Sequence, residues 1–177
     1  MSDASILVIG LGNLLLSDEG VGVHVVRALA ERYRLPPAVE LIDGGTSGMD
    51  LLDALAQAER VVVVDAARTG QAPGTVIEVA DGELPVFFSQ KLSPHQVGFS
   101  DVLASLELIG SRPREIILVA IEPADLSLGI ELSQCGRESA AIALQAVLRR
   151  LAAWGQTPTQ QSVERVGEEQ KAWLACA

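Results

Sequence analysis

Several motifs and residue types that mark out protein classes are missing or scarce here. Only two cysteines, Cys135 and Cys176, occur in 177 residues. They lie far apart and form no Cys-x-x-Cys, which argues against a disulfide framework and for a reducing compartment. Cys135, in a Gly/Ser-flanked loop ahead of a helix, reads as a packed thiol rather than a nucleophile. Basic residues are outnumbered 13 to 23, giving a net charge of −10. That balance opposes binding to nucleic acid or an anionic membrane and favours solubility. With two histidines and no Gly-x-Ser-x-Gly elbow, a serine triad would have to recruit His95 to a serine that nothing singles out. The absence of His-Glu-x-x-His excludes a zincin-type protease. No apolar run approaches a membrane span. The opening MSDAS is acidic and has no basic n-region followed by an apolar h-region, so no signal peptide is expected and the expected location is the cytoplasm.

Hydrophobic residues make up 49% of the chain. At this length one domain buries roughly 68–70% of its unfolded surface, enough for a core without staples. Strand-like and helix-like segments alternate without repeats. Ile6–Ile9, Val39–Ile42, Val61–Val64, Thr75–Val79 and Ile116–Ile121 read as strands. Val61–Val64, apolar without alternation, is expected at the centre of the sheet with both faces buried. The loop 66–73 is too short for a parallel crossover, which makes Thr75–Val79 antiparallel and near an edge. Helices are expected over 19–34, with a stripe of Val23, Val26, Ala30 and Tyr33, and over 48–58, with Met49, Leu52, Leu55 and Ala56 on one side. A third opens at Ser93 as N-cap, with Pro94 at N1 and Gln96 at N3, and runs to about Ile109. The last covers 133–154, with Ala140, Leu144, Val147, Leu148 and Leu151 facing inward. The expected fold is α/β: a three-layer sandwich on a mostly parallel five-stranded sheet with one antiparallel strand and helices on both faces. Residues 1–155 form a single domain in this reading. Residues 156–177 form a polar appended tail, with Val163, Val166, Trp173 and Leu174 available for one weak helix.

The segment Ile6–Gly22 is the most informative. It starts as a dinucleotide loop, with Gly10 and Gly12 after a strand, but Leu15 stands where the third glycine belongs, and no Gly-Lys-Ser/Thr follows. Instead it delivers Asp18 and Glu19 at a helix start. Two readings are open: dipole stabilisers with Ser17 as cap, or a strand-end carboxylate that binds a cation. In open α/β sheets ligands bind beyond the carboxyl ends of strands, where strand order reverses. Glu19 follows the first strand and Asp65 ends the third, so both face that crevice, an unfavourable pairing unless a cation or a proton intervenes. His95, at another helix start, is kept neutral by the dipole and is a candidate ligand. Glu19, Asp65 and His95 make an oxygen/nitrogen set with open positions, suited to Ni²⁺, Zn²⁺ or Mn²⁺. His24, about 140° round the helix from Glu19, reads as solvated helix face. Asp18 reads as a helix-start charge, Asp43 as an Asx-type turn before Gly44-Gly45, and Glu122-Pro123 as the close of the fifth strand.

Taken together, Gly10-Leu11-Gly12-Asn13, Ser17-Asp18-Glu19-Gly20, Asp43-Gly44-Gly45-Thr46-Ser47-Gly48, Val64-Asp65-Ala66 and Ser93-Pro94-His95-Gln96-Val97-Gly98 resemble the hydrogenase maturation protease family. They resemble most the branch serving uptake [NiFe] hydrogenases. The resemblance runs in one collinear order over roughly residues 5–155 and is not carried into the tail. It implies a cytoplasmic endopeptidase that removes a C-terminal extension from the nickel-loaded large-subunit precursor, with nickel carried by the substrate. It implies further that Glu19, Asp65 and His95 match metal-contacting positions, and that Asp43 matches a glycine-loop aspartate with a part in cleavage. Whether such a reaction is of aspartic or metal-dependent type stays open at this level. Two other readings are a nickel-sensing chaperone for the large subunit without cleavage activity, and a nucleotide-binding enzyme using Gly10, Gly12 and Asp43.

Overall fold

A computed structural model of the chain describes residues 5–84 and 94–161, the side chains of 94–97 excepted. The order is β1 (Ile6–Leu11), a 3₁₀ turn (Ser17–Gly20), α1 (Val21–Arg32), β2 (Tyr33–Arg34), β3 (Val39–Gly45), a 3₁₀ turn (Met49–Leu51) and α2 (Leu52–Gln57). Then follow β4 (Arg60–Ala66), β5 (Val76–Ala80), α3 (Pro94–Ile109), β6 (Glu115–Ile121), α4 (Gln134–Ala153) and β7 (Thr159–Gln160).

The main sheet runs β3-β1-β4-β6-β5. The first four strands are parallel, and β5 pairs antiparallel with β6 at the edge, as the short 66–73 loop requires. β4, with its unbroken run of valines, is the central strand and is buried on both faces. Strand side chains alternate between two cores. Leu7, Ile9, Leu11, Val61, Val63, Ile116 and Leu118 pack under Leu51 and Leu55 and under Phe99, Val102 and Leu106 of α3. Ile6, Val8, Val62, Val64 and Val119 pack under Val21, Val25, Val26 and Leu29 of α1 and Ala143, Leu144 and Val147 of α4. Helices on both faces of one sheet make the three layers.

Local departures from the sequence reading have identifiable causes. Helix α1 stops at Arg32, and Tyr33 turns into β2, which pairs antiparallel with Thr159–Gln160. Two-residue strands carry no periodicity to read, and the partners are far apart in sequence. The expected helix over 48–58 opens with a 3₁₀ turn, whose tighter winding rotates the face inward from Met49 to Leu51. Met49 is thereby left exposed while Leu51 is buried. The expected cap at Ser93, and the expected weak helix in the tail beyond Gln161, lie outside the described residues.

Candidate active site at the strand ends

Chain order reverses across β1: β3 lies on one side of it and β4 on the other. The crevice beyond the carboxyl ends of β1 and β4 is therefore the switch point at which such sheets bind ligands. Two glycines set its walls. Gly12, at φ 131°, is pressed so tightly on the following turn that a Cβ there would meet the Glu19 carbonyl oxygen at 1.8 Å. Gly22 lets α1 rest on the strand ends, since its Cβ would fall 2.1 Å from the Val64 carbonyl oxygen. The helix–strand contact that a nucleotide loop assigns to its third glycine is thus made by Gly22. Leu15 is free to be something else because a 3₁₀ turn intervenes before the helix.

Glu19 lies in that 3₁₀ turn, half-buried, directly against the end of β1. Asp65 occupies the penultimate position of β4, immediately after the residue that Gly22 abuts, and is buried. Glu19 thus follows β1, and Asp65 ends β4, the strand adjacent to it. His95 belongs to the first turn of α3, and its side chain is outside the described set. Among the described residues no three His, Cys, Asp or Glu side chains gather as a metal site.

Asp18 is not a solvated helix-start charge. It is 1% exposed, and its carboxylate accepts four hydrogen bonds. Ala124 and Asp125 N–H donate to Oδ2 at 3.1 and 3.0 Å, Ser133 N–H donates to Oδ1 at 2.8 Å, and the Ser133 hydroxyl donates to Oδ2 at 2.8 Å. Ser133 Oγ also accepts from Gly136 N–H at 2.9 Å, capping α4. A buried carboxylate surrounded by donors is held at modest net cost. Asp18 therefore ties the turn that carries Glu19 to the 124–133 loop and the start of α4. Ser17 does not cap the turn; its hydroxyl donates to the Ser127 carbonyl at 3.0 Å, and its φ of 47° is left-handed. Leu16 holds the N-cap position without a side-chain bond.

Asp43 lies in β3 opposite Gly10, and the register then slips so that Leu11 meets Gly45. This bulge ends the regular pairing and re-aims the chain. No Asx-type turn forms. The Asp43 carboxylate accepts from Arg27 of α1, Nε at 3.0 Å and Nη2 at 2.7 Å, both on Oδ2. One turn earlier on α1, His24 sits in a groove of about 390 Å³ between α1 and α4, alongside Arg27, Arg137 and Leu144. It is not solvated helix face. Its Nε2 is buried and has no hydrogen-bond partner among the described residues. Burial, followed by the neighbouring Arg27 charge, holds its pKa below the usual imidazole value, against a smaller opposing pull from Asp43.

Glu122 does more than close its strand. Its Oε2 accepts from Thr69 N–H, from the Thr69 hydroxyl at 2.8 Å and from Gly70 N–H at 3.0 Å, clamping the loop that follows β4. Cys135 is free and half-buried near the start of α4, packed against Gly74. Among the described residues no helix is long and apolar enough to cross a membrane.

The hydrogenase maturation protease family model matches residues 23–150. The Hydrogenase 2 maturation protease of Escherichia coli K12 is 43% identical over 147 residues, 82% of this chain and 90% of that protein. The hydrogenase expression/formation protein HupM of Azotobacter chroococcum is 43% identical over 175 residues, 97% of this chain and 84% of that protein. Among solved structures, the hydrogenase maturating endopeptidase HybD from E. coli superposes with a TM-score of 0.85 at 40% identity, covering 89% of this chain and 98% of that one.

Proposed function

The chain belongs to the hydrogenase maturation protease family, and from that premise we propose that it removes the C-terminal extension of a [NiFe] hydrogenase large-subunit precursor once nickel has been inserted. The membership makes it an endopeptidase of hydrogenase maturation. What supports the finer reading is the strand order, which sets the turn carrying Glu19 and the end of β4 carrying Asp65 beside the switch point between β1 and β4. Hard oxygen donors of this kind, joined by an imidazole from His95, suit a borderline divalent cation such as nickel.

In this reading nickel arrives with the substrate, already held by the precursor, and Glu19, Asp65 and His95 fill positions that the precursor leaves open. Docking then depends on metal insertion, so cleavage is withheld from unloaded precursor. Because the ion is cargo rather than a resident cofactor, the protein by itself has weak affinity for free nickel. Bound nickel would supply an electrophile near the scissile carbonyl, and in this reading Asp43 of the neighbouring β3 acts as general base toward water. The acidic surface and the free Cys135 suit a cytoplasmic reaction.

The test is incubation with nickel-loaded and nickel-free precursor, with C-terminal length read by intact mass. Shortening of the loaded precursor alone is expected, and equal shortening of both would remove nickel from recognition. Precursor that binds but is never shortened would instead support a chaperone. His95→Ala and Asp65→Ala are expected to abolish processing while the fold persists, and a His95→Ala protein that processes at the normal rate sinks the ligand assignment.

A further inference from the structure

We propose that Arg27 is a positioning residue for cleavage, fixing Asp43 through Oδ2 so that Oδ1 faces the reaction as the proton-accepting oxygen. The proposal rests on the reading that Asp43 takes part in cleavage. Arg27 approaches from α1, 16 residues earlier in the chain. Two N–H groups of the planar guanidinium converge on a single oxygen, which constrains both the carboxylate's position and its rotation. Among the described residues Oδ1 accepts no hydrogen bond. The Asp43 side chain is 10% exposed and that of Arg27 39%. The clamp is thus partly open to water, while the carboxylate it holds is largely enclosed.

Such an arrangement differs from a stabilising ion pair in which the two carboxylate oxygens are shared between the two guanidinium nitrogens. A two-oxygen fork would occupy the lone pairs that a base needs. Here one oxygen is anchored and the other is left over. Neighbouring His24 does not engage it among the described residues: its buried Nε2 lies in the groove between α1 and α4 without a hydrogen-bond partner.

The step balances without any further reactant. Oδ1 takes a proton from water as the water oxygen bonds to the scissile carbonyl carbon. That proton then passes to the leaving amine nitrogen as the C–N bond breaks, and the carboxylate is regenerated. In this proposal Arg27 acts on the carboxylate rather than on the reacting water or peptide, so its contribution is to orientation, and misplacement of a catalytic group by about 1 Å costs on the order of 100-fold in rate.

The experiment measures kcat and KM for the nickel-loaded precursor with Arg27→Met, Arg27→Lys, Asp43→Asn and the double variant Arg27→Met/Asp43→Asn. Asp43→Asn is expected to lower kcat by about 1000-fold, within the range for loss of a general base. Arg27→Met should lower kcat by about 100-fold with KM changed less than about two-fold. Arg27→Lys, which keeps the charge but cannot fork, should fall about 10-fold. The double variant should be no slower than Asp43→Asn alone, an outcome that a purely structural role for Arg27 would not give. Wild-type kcat in Arg27→Met beside an inactive Asp43→Asn overturns the positioning role and leaves Asp43 in place. Wild-type kcat in Asp43→Asn removes Asp43 from cleavage, and Arg27 with it. Full activity in Arg27→Lys overturns the need for two N–H groups on one oxygen.

Discussion

Asp18, in the turn after β1, and Asp43, in the neighbouring strand β3, hold their carboxylates in opposite ways. Asp18 is saturated: both oxygens are engaged by uncharged donors, three backbone N–H groups and one hydroxyl, all from the segment 124–133. Asp43 is held by one oxygen alone, from a single charged side chain. A carboxylate used for architecture has every lone pair committed, because an unmet donor or acceptor in the interior is costly. A carboxylate kept for chemistry has to retain an uncommitted oxygen, and it pairs with a group that orients it without consuming that oxygen. Adjacent Glu19 shares the turn that Asp18 anchors, so the fixed carboxylate positions the one at the crevice.

The sharpest way to break this comparison is Asp18→Ala. It removes the shared acceptor of three backbone N–H groups and the Ser133 hydroxyl, and empties the space between the 3₁₀ turn and α4. A loss of about 3–5 kcal/mol is expected, read as a fall in Tm of roughly 10 °C or more for a domain of this size. A melting temperature within a few degrees of wild type would show that Asp18 is not the architectural carboxylate. Glu122 is intermediate, with one oxygen accepting three donors from the 69–70 segment on a partly exposed loop. Glu122→Ala is expected to cost about 1–2 kcal/mol and to speed limited proteolysis between residues 66 and 73. An unchanged cleavage pattern would contradict the clamp.

The crevice could be read from the sequence because its signals are local. Val61–Val64 is β-branched and unbroken, which fixes its central place, and with it the position of Asp65 at the end of the strand beside β1. The edge strand followed from the length of one loop. Asp18 could not be read this way. Its partners lie 106 to 115 residues away, and the helix-dipole rule supplies an adequate explanation at the wrong level. Arg27 was equally invisible, since a polar residue on an amphipathic helix carries no sign that a strand bulge brings a carboxylate to it. His24 departs from the sequence reading because angular position on an isolated helix says nothing of α4, which packs beside it.

Asp43→Asn probes the other member of the pair for stability rather than rate. The Arg27 side chain is 39% exposed, so solvent screens the ion pair and its net contribution falls in the surface range of about 0–1 kcal/mol. Thermal melting of Asp43→Asn should therefore stay within about 4 °C of wild type, in contrast with Asp18→Ala. A loss as large as that of Asp18 would mean that Asp43 too is primarily architectural.

The smallest effect belongs to His24, which borders the Asp43 corner and tests its electrostatics. The charged groups around it are Arg27, Glu31 and Arg32 on α1, Asp43 on β3 and Arg137 on α4. Burial and Arg27 lower its folded pKa beneath the ordinary 6.5. Below that ordinary value the unfolded chain takes a proton that folded His24 refuses. Its contribution is thus fully present above pH 6.5, declines as pH falls, and stops declining once the folded imidazole protonates too. The melting temperature of wild type should consequently fall more than that of His24→Gln between about pH 7.5 and 5.5, with the two proteins differing little in slope above pH 7. Equal declines in both proteins would show that the groove leaves this imidazole as titratable as one in water. The enclosed, unpaired Nε2 beside the Arg27–Asp43 clamp would then have to be open to solvent.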